Sequence, residues 1–191
     1  MKHQLTKLAL ALALASVGTV ALAQNPPPAP IIANPTYAVI PMQVDINKPA
    51  ADVWKRVGNY CDIGEWLQIP AGCKILVGRD NEVGAVRTVG GEVLVAITPT
   101  SYAYTQTPKV GVPYNLYHGN LEIRPLTATT SRMYYTLIYD NSMMADDAAR
   151  AKDFENRRTT FTRALGNMKI LAEGGTLPPR PAPAAPAAPA R

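Results

Sequence analysis

Between residues 72 and 140 apolar and polar side chains alternate with a period of two, in six short segments. The pattern then changes to one long helical repeat. A period of two marks strands, and a period near 3.6 marks a helix. The six segments are residues 72–78, 85–89, 92–98, 101–107, 117–126 and 131–140. Asp80-Asn81, Gly90-Gly91, Pro99 and Pro125 separate them with turn chemistry, which predicts hairpins and an antiparallel, curved sheet. In the helical repeat, residues 145–172, Phe154, Phe161, Leu165, Met168 and Ala172 recur at sevens and fours and share a face. Asp146 and Asp147 suit its positive N-terminus.

Ahead of this run, residues 37–46 read as a further strand. Pro49 supplies a preset φ for a helix start, Val53, Trp54 and Val57 follow at helical spacing, and Gly58 ends that helix. Residues 62–67 predict a second short helix that ends on Trp66. One long helix across one sheet is an α+β architecture.

The ends of the chain differ from its middle. Lys2 and Lys7 precede an uncharged run of Leu, Ala and Val that closes at Ala21-Leu22-Ala23. That is the grammar of a cleaved export signal, residues 1–23. The run is too short for a transmembrane helix, so no stable membrane anchor is expected after cleavage. The destination is the periplasm or the exterior. Residues 24–33 read as a Pro-rich linker and residues 174–191 as a disordered Pro/Ala-rich tail. Residues 34–173 are left as one domain by length. Setting aside Lys2 and Lys7 lowers the formal charge from +5 to +3, and no dense basic block exists, which argues against a nucleic-acid partner.

Export places Cys61 and Cys73, the only cysteines, where disulfides persist. A metal site and a reactive thiol are the alternatives, and His118 stands too far along the chain to complete a recognisable zinc set. No metal and no cofactor are expected.

Several sequence words share an order with a known superfamily: VWKRVGNYCDIGEWL (53–67), VGAVRTV (83–89), YHGNLEIRPL (117–126) and TSRMYYTLIYD (130–140). In these words the domain resembles the START-like helix-grip superfamily (SRPBCC), in its polyketide cyclase/dehydrase branch. The resemblance implies a strongly curved seven-stranded antiparallel sheet gripping the long C-terminal helix around an internal cavity. It also implies a hydrophobic small molecule or lipid as partner. Fold alone does not choose between a carrier and a cyclase.

Alternation names the residues that would line such a cavity. Met133, Tyr135, Leu137 and Tyr139 form the more apolar face of the last strand, and Tyr117, Gly119, Leu121 and Ile123 that of the strand before it. Tyr102 and Tyr104 share a face two strands earlier. Phe154, Phe161 and Leu165 face them from the helix, with Trp66 beside the short helix. Tyrosine offers an aromatic wall and a hydroxyl that can fix a ligand's polar group. The same residues would equally fill a solid core.

Catalytic candidates are few. His118, the only histidine beyond the leader, falls on the outer face by parity. Arg87 points either inward, where it would anchor an anionic head group, or to solvent. Asp62 and Glu65 flank Trp66, where an aromatic wall can raise a carboxyl pKa, although Asp62 also suits a helix cap. No nucleophile–base pair or phosphate loop appears. Three readings follow: a binder or carrier of an apolar molecule, a cyclase or dehydratase acting on a polyketide-like or aromatic substrate, and a non-catalytic interaction module. The loop 109–115 is the expected lid over the mouth of a cavity.

Overall fold

The structure is a computed structural model, and it describes residues 34–180. The leader, the linker and residues 181–191 of the tail lie outside the described residues. The chain runs β1 (Tyr37–Ile46), α1 (Ala50–Val57), α2 (Ile63–Trp66), β2 (Ile75–Val77), β3 (Val86–Arg87), β4 (Glu92–Thr98), β5 (Ser101–Gln106), β6 (Asn115–Pro125), β7 (Ser131–Asp140) and α3 (Asp147–Ala172). The strands form one seven-stranded antiparallel sheet in the order β1-β7-β6-β5-β4-β3-β2. After β1 the chain crosses through α1 and α2 to the far edge, then returns hairpin by hairpin until β7 lies beside β1.

The β1–β7 ladder is unbroken from Tyr37↔Asp140 to Ile46↔Ser131. Register shifts in β4 between Leu94 and Ala96, and between Asn115 and His118 in β6, bend the sheet, as bulges do. The face carrying Tyr117, Gly119, Leu121 and Ile123, and Met133, Tyr135, Leu137 and Tyr139 in β7, is buried as alternation predicts. Residues of α3 close over that face, resting on β1, β7, α1 and α2.

Element boundaries moved where a cap or a bulge intervened. Helix α3 starts at Asp147 because the Asp146 carboxylate accepts the Ala149 amide at 2.7 Å, which makes Asp146 the cap and leaves Ala145 outside. Strand β6 starts at Asn115 because Leu116 adopts a left-handed φ of 48° in the bulge, which keeps Tyr117 pointing inward. Strands β2 and β3 are only three and two residues long.

Cys61 and Cys73 are joined in a disulfide with Cα atoms 5.4 Å apart. It closes the loop that carries α2. Beyond α3 the chain remains attached at first: Leu177 packs on the core, Gln68 Nε2 donates to the Pro178 carbonyl at 2.7 Å, and Arg180 donates to the Gln68 carbonyl. Among the described residues, no helix is long and apolar enough to cross a membrane.

Candidate functional site

The concave face is built from tyrosine. Tyr102 and Tyr104 project from β5, Tyr117 from β6, Tyr135 and Tyr139 from β7, and Tyr60 arrives from the turn after α1. Their rings touch in a continuous chain, with centroid separations of 5.5 Å for Tyr60–Tyr102, 6.3 Å for Tyr104–Tyr117 and 6.0 Å for Tyr117–Tyr139. Trp66 packs edge-on to Tyr135 at 6.2 Å, and Phe161 of α3 lies over the same ring at 5.0 Å. Gly119 makes this possible. A Cβ there would lie 2.3 Å from the Tyr104 hydroxyl oxygen, so only glycine lets that ring lie across β6.

The sequence-expected lining residues are therefore brought together, and they meet one another rather than standing apart around open space. Trp66, Tyr102, Tyr104, Tyr117, Leu121, Met133, Tyr135, Leu137 and Leu165 are buried, while Phe154 and Phe161 are half-buried under α3. Rings from the sheet and from α3 are thus in contact with one another across this face.

Arg87 points inward and is fully buried. Its Nε and Nη2 donate to Glu92 Oε2 at 2.8 and 2.5 Å, and Nη1 donates to the Tyr60 carbonyl. The guanidinium lies 4.0 Å from the Tyr60 ring centroid and 4.8 Å from that of Tyr104. Burial works to discharge it, but the carboxylate of Glu92 beside it opposes that, and its pKa stays above the ordinary value. Glu92 Oε1 accepts from Gln106, whose Oε1 accepts the Tyr114 hydroxyl. At the other end, Arg157 of α3 stacks on Tyr114 and Tyr139 at 4.5 Å each and donates to Asp153, which also accepts the Tyr139 hydroxyl at 2.7 Å.

Three groups on this face donate to nothing among the described residues: the Tyr60 and Tyr102 hydroxyls and Trp66 Nε1, with the Tyr102 oxygen turned toward the Arg87 guanidinium. Tyr104 and Tyr135, by contrast, share one hydroxyl–hydroxyl hydrogen bond at 2.7 Å. Desolvation drives the Tyr60, Tyr102, Tyr104 and Tyr135 hydroxyls above their ordinary value of 10.0, so all are protonated near neutral pH.

Asp62 and Glu65 are not part of this interior. Asp62 occupies the N-cap position of α2 but turns back to accept the Asn59 amide at 2.8 Å, so the expected capping bond is not made. Glu65 forms a solvent-exposed bidentate pair with Arg56 at 2.7 and 2.8 Å. His118 lies on the outer sheet face, beside a hollow of about 220 Å³ lined by Val95, Ala103, Asn120, Thr136 and Ile138. In the expected lid, Val110 is wholly exposed while Tyr114 folds back onto Tyr117 at 5.7 Å.

Sequence reasoning missed Glu92, Tyr60, Tyr114 and the Asp153–Arg157 pair. Glu92 was findable, since parity puts it on the face of Leu94. The others sit in turns or on a helix flank, where periodicity assigns no face.

Residues 38–173 match the family model described as polyketide cyclase/dehydrase and lipid transport. No curated protein matches the chain in sequence. A solved protein from Nitrosospira multiformis is 21% identical, with 70% of this chain and 94% of that chain covered and a TM-score of 0.57. One from Thermobifida fusca is 22% identical, covering 72% and 95%, at 0.59. An aromatase/cyclase from a Streptomyces species is 14% identical, covering 74% and 100%, at 0.55. These structures share the fold.

Proposed function

Because the chain belongs to the polyketide cyclase/dehydrase and lipid transport family, we propose that it binds an apolar small molecule or lipid between the concave sheet face and α3, acting in the periplasm after export. The observation that carries this reading is the set of three buried groups that donate to nothing among the described residues, the Tyr60 and Tyr102 hydroxyls and Trp66 Nε1. A buried polar group without a partner costs about 1–3 kcal/mol, and native folds keep few of them. A ligand whose polar end accepts from these groups, and whose apolar body meets the tyrosine rings, recovers that cost. Since the rings touch one another across this face, a ligand seated among them moves side chains. The adaptable edge is α3, where Phe154 and Phe161 are half-buried.

The cyclase or dehydratase reading has one observation in its favour, the inward Arg87. Yet a guanidinium stays protonated and has no proton to exchange near neutral pH. Here it is also spent on Glu92 and the Tyr60 carbonyl. That arrangement favours a fixed polar floor over an acid–base catalyst.

Tyr60→Phe tests the reading, with a neutral naphthyl ketone dye as the apolar probe. Deleting an unsatisfied hydroxyl should raise the stability of the empty protein by about 1 kcal/mol and weaken dye binding several-fold. Urea unfolding and fluorescence titration measure the two effects. A variant that is more stable and binds as before would remove the support those donors give.

A further inference from the structure

The outer face of the sheet is uncharged at one end. There the ladders set Val39 beside Ile138, Ile138 beside His118, and His118 beside Thr105. The next outward row is Pro41, Thr136, Asn120 and Ala103. The charged outward pairs, Asp45 with Arg132 and Glu122 with Arg124, lie toward the opposite end. Val39, Val95 and Ile138 are 50%, 47% and 39% exposed on this face. Val95 and Ile138 also line the hollow of about 220 Å³ beside His118. A contiguous exposed apolar patch of this kind marks a site of interaction.

The size of the face selects its occupant. Five strands about 4.8 Å apart, with three outward positions about 6.8 Å apart, make about 300 Å². A stable pairing of two copies needs about 800 Å² from each. A short extended segment needs far less, and the chain carries one beside this face. Residues 24–36 hold no charge, and Ile31-Ile32 are the only large apolar side chains among them. The segment arrives at the uncharged end. The backbone bends at Asn34, and Thr36 is pinned by its amide to Asp140 at 3.0 Å and by its hydroxyl to Asn141 at 2.9 Å. From Tyr37, the middle of the hollow over β6 lies two strands across and three residues along, about 14 Å away. The six residues back to Ile31 span about 19 Å in a polyproline conformation. The C-terminal tail is the poorer candidate. It continues from Arg180, which is bonded to Gln68 beyond α2, and holds only Pro, Ala and a last Arg.

We propose that Ile31 and Ile32 seat in the hollow on the outer sheet face, so that the Pro-rich segment ahead of β1 covers Val39, Val95 and Ile138. Seating removes apolar surface of both partners from water. Proline is no handicap there, because a chain lying flat on a sheet, rather than along its edge, needs no ladder hydrogen bonds. The proposal stands on the outer face alone and is independent of what the concave face binds.

Methyl NMR on residues 24–191, the chain expected after export, tests it. Cross-peaks should join the Ile31 or Ile32 methyls to those of Val95 or Ile138. In the double variant Ile31→Asp with Ile32→Asp, these cross-peaks should vanish and the Val39, Val95 and Ile138 methyl shifts should move. The buried Leu121 and Leu137 methyls should keep their shifts, which reports an intact fold. Absence of any cross-peak from either isoleucine to this face would overturn the proposal. Isotope-filtered spectra of mixed labelled and unlabelled chains show whether the contacts run within one molecule. Cross-peaks found only between molecules would overturn it in favour of a second copy as the occupant.

Discussion

Arg87 and Glu92 carry opposite charges into a place where neither meets water. Such a pair is favourable only while both partners are present, because removing one strands the other's charge in a low-dielectric interior. The side chains are 0% and 5% exposed, so solvent screening offers little relief. Glu92→Gln should therefore cost about 3–5 kcal/mol in urea unfolding, whereas the double change Arg87→Met with Glu92→Leu should cost clearly less than the single one. A single variant that unfolds like the parent would mean that water reaches this pair. A second residue-scale test concerns two carboxyls three positions apart. Burial raises Asp62 above its ordinary 3.8 although Asn59 donates to it, while the hydrogen bond from Arg56 lowers Glu65 below its ordinary 4.5. The linkage signs are opposite. Stability from Glu65 is present above pH 4.5 and lost as pH falls through its lowered value. Asp62 favours the fold below pH 3.8, and that contribution is lost as pH rises through its raised value. Carboxyl NMR titration should give a midpoint above 3.8 for Asp62 and below 4.5 for Glu65. Values on the other side of either figure would contradict the assigned environments.

At the scale of elements, the loop closed by Cys61–Cys73 carries Trp66, whose carbonyl accepts from Asn167 of α3. The bridge spans a sequence separation of 12, and in the chain-entropy model a loop of that size contributes about 3 kcal/mol. Replacing Cys61→Ser and Cys73→Ser should cost about that much and shift Trp66 emission to longer wavelength as the loop loosens. Unchanged emission would show that packing alone holds Trp66. The elements most legible in the sequence were those with long, clean periods. β1 and β7 were placed to the residue, and the inward faces of β6 and β7 followed from parity. Less legible were β2 and β3, since strands of three and two residues carry too little alternation to fix their ends. The direction of Arg87 was open for the same reason. It depended on Glu92 across the β3–β4 hairpin, and a pairing is not a local property of either strand.

For the whole molecule, the α+β architecture was legible from the order of its elements and the grip around the helix from the family resemblance, but the state of its interior was not. Alternation tells which side chains face inward and says nothing about whether their volumes fill the space between sheet and helix. Here Tyr104 crosses β6 over Gly119 and Phe161 descends onto Tyr135, contacts that alternation does not announce. The polar side of that interior was equally hidden, because Tyr60, Tyr114 and the Asp153–Arg157 pair reach it from turns and a helix flank. What remains is a tyrosine-rich interior in which the Tyr60 and Tyr102 hydroxyls and Trp66 Nε1 donate to nothing among the described residues, covered by α3. The central claim is that this interior accepts an apolar ligand. Native mass spectrometry tests it most directly, on protein purified without detergent, before and after solvent extraction. The account predicts a reproducible added mass that extraction releases, and that is lost from protein carrying Tyr104→Ala and Tyr135→Ala in an intact fold. An added mass retained equally by that variant would contradict it.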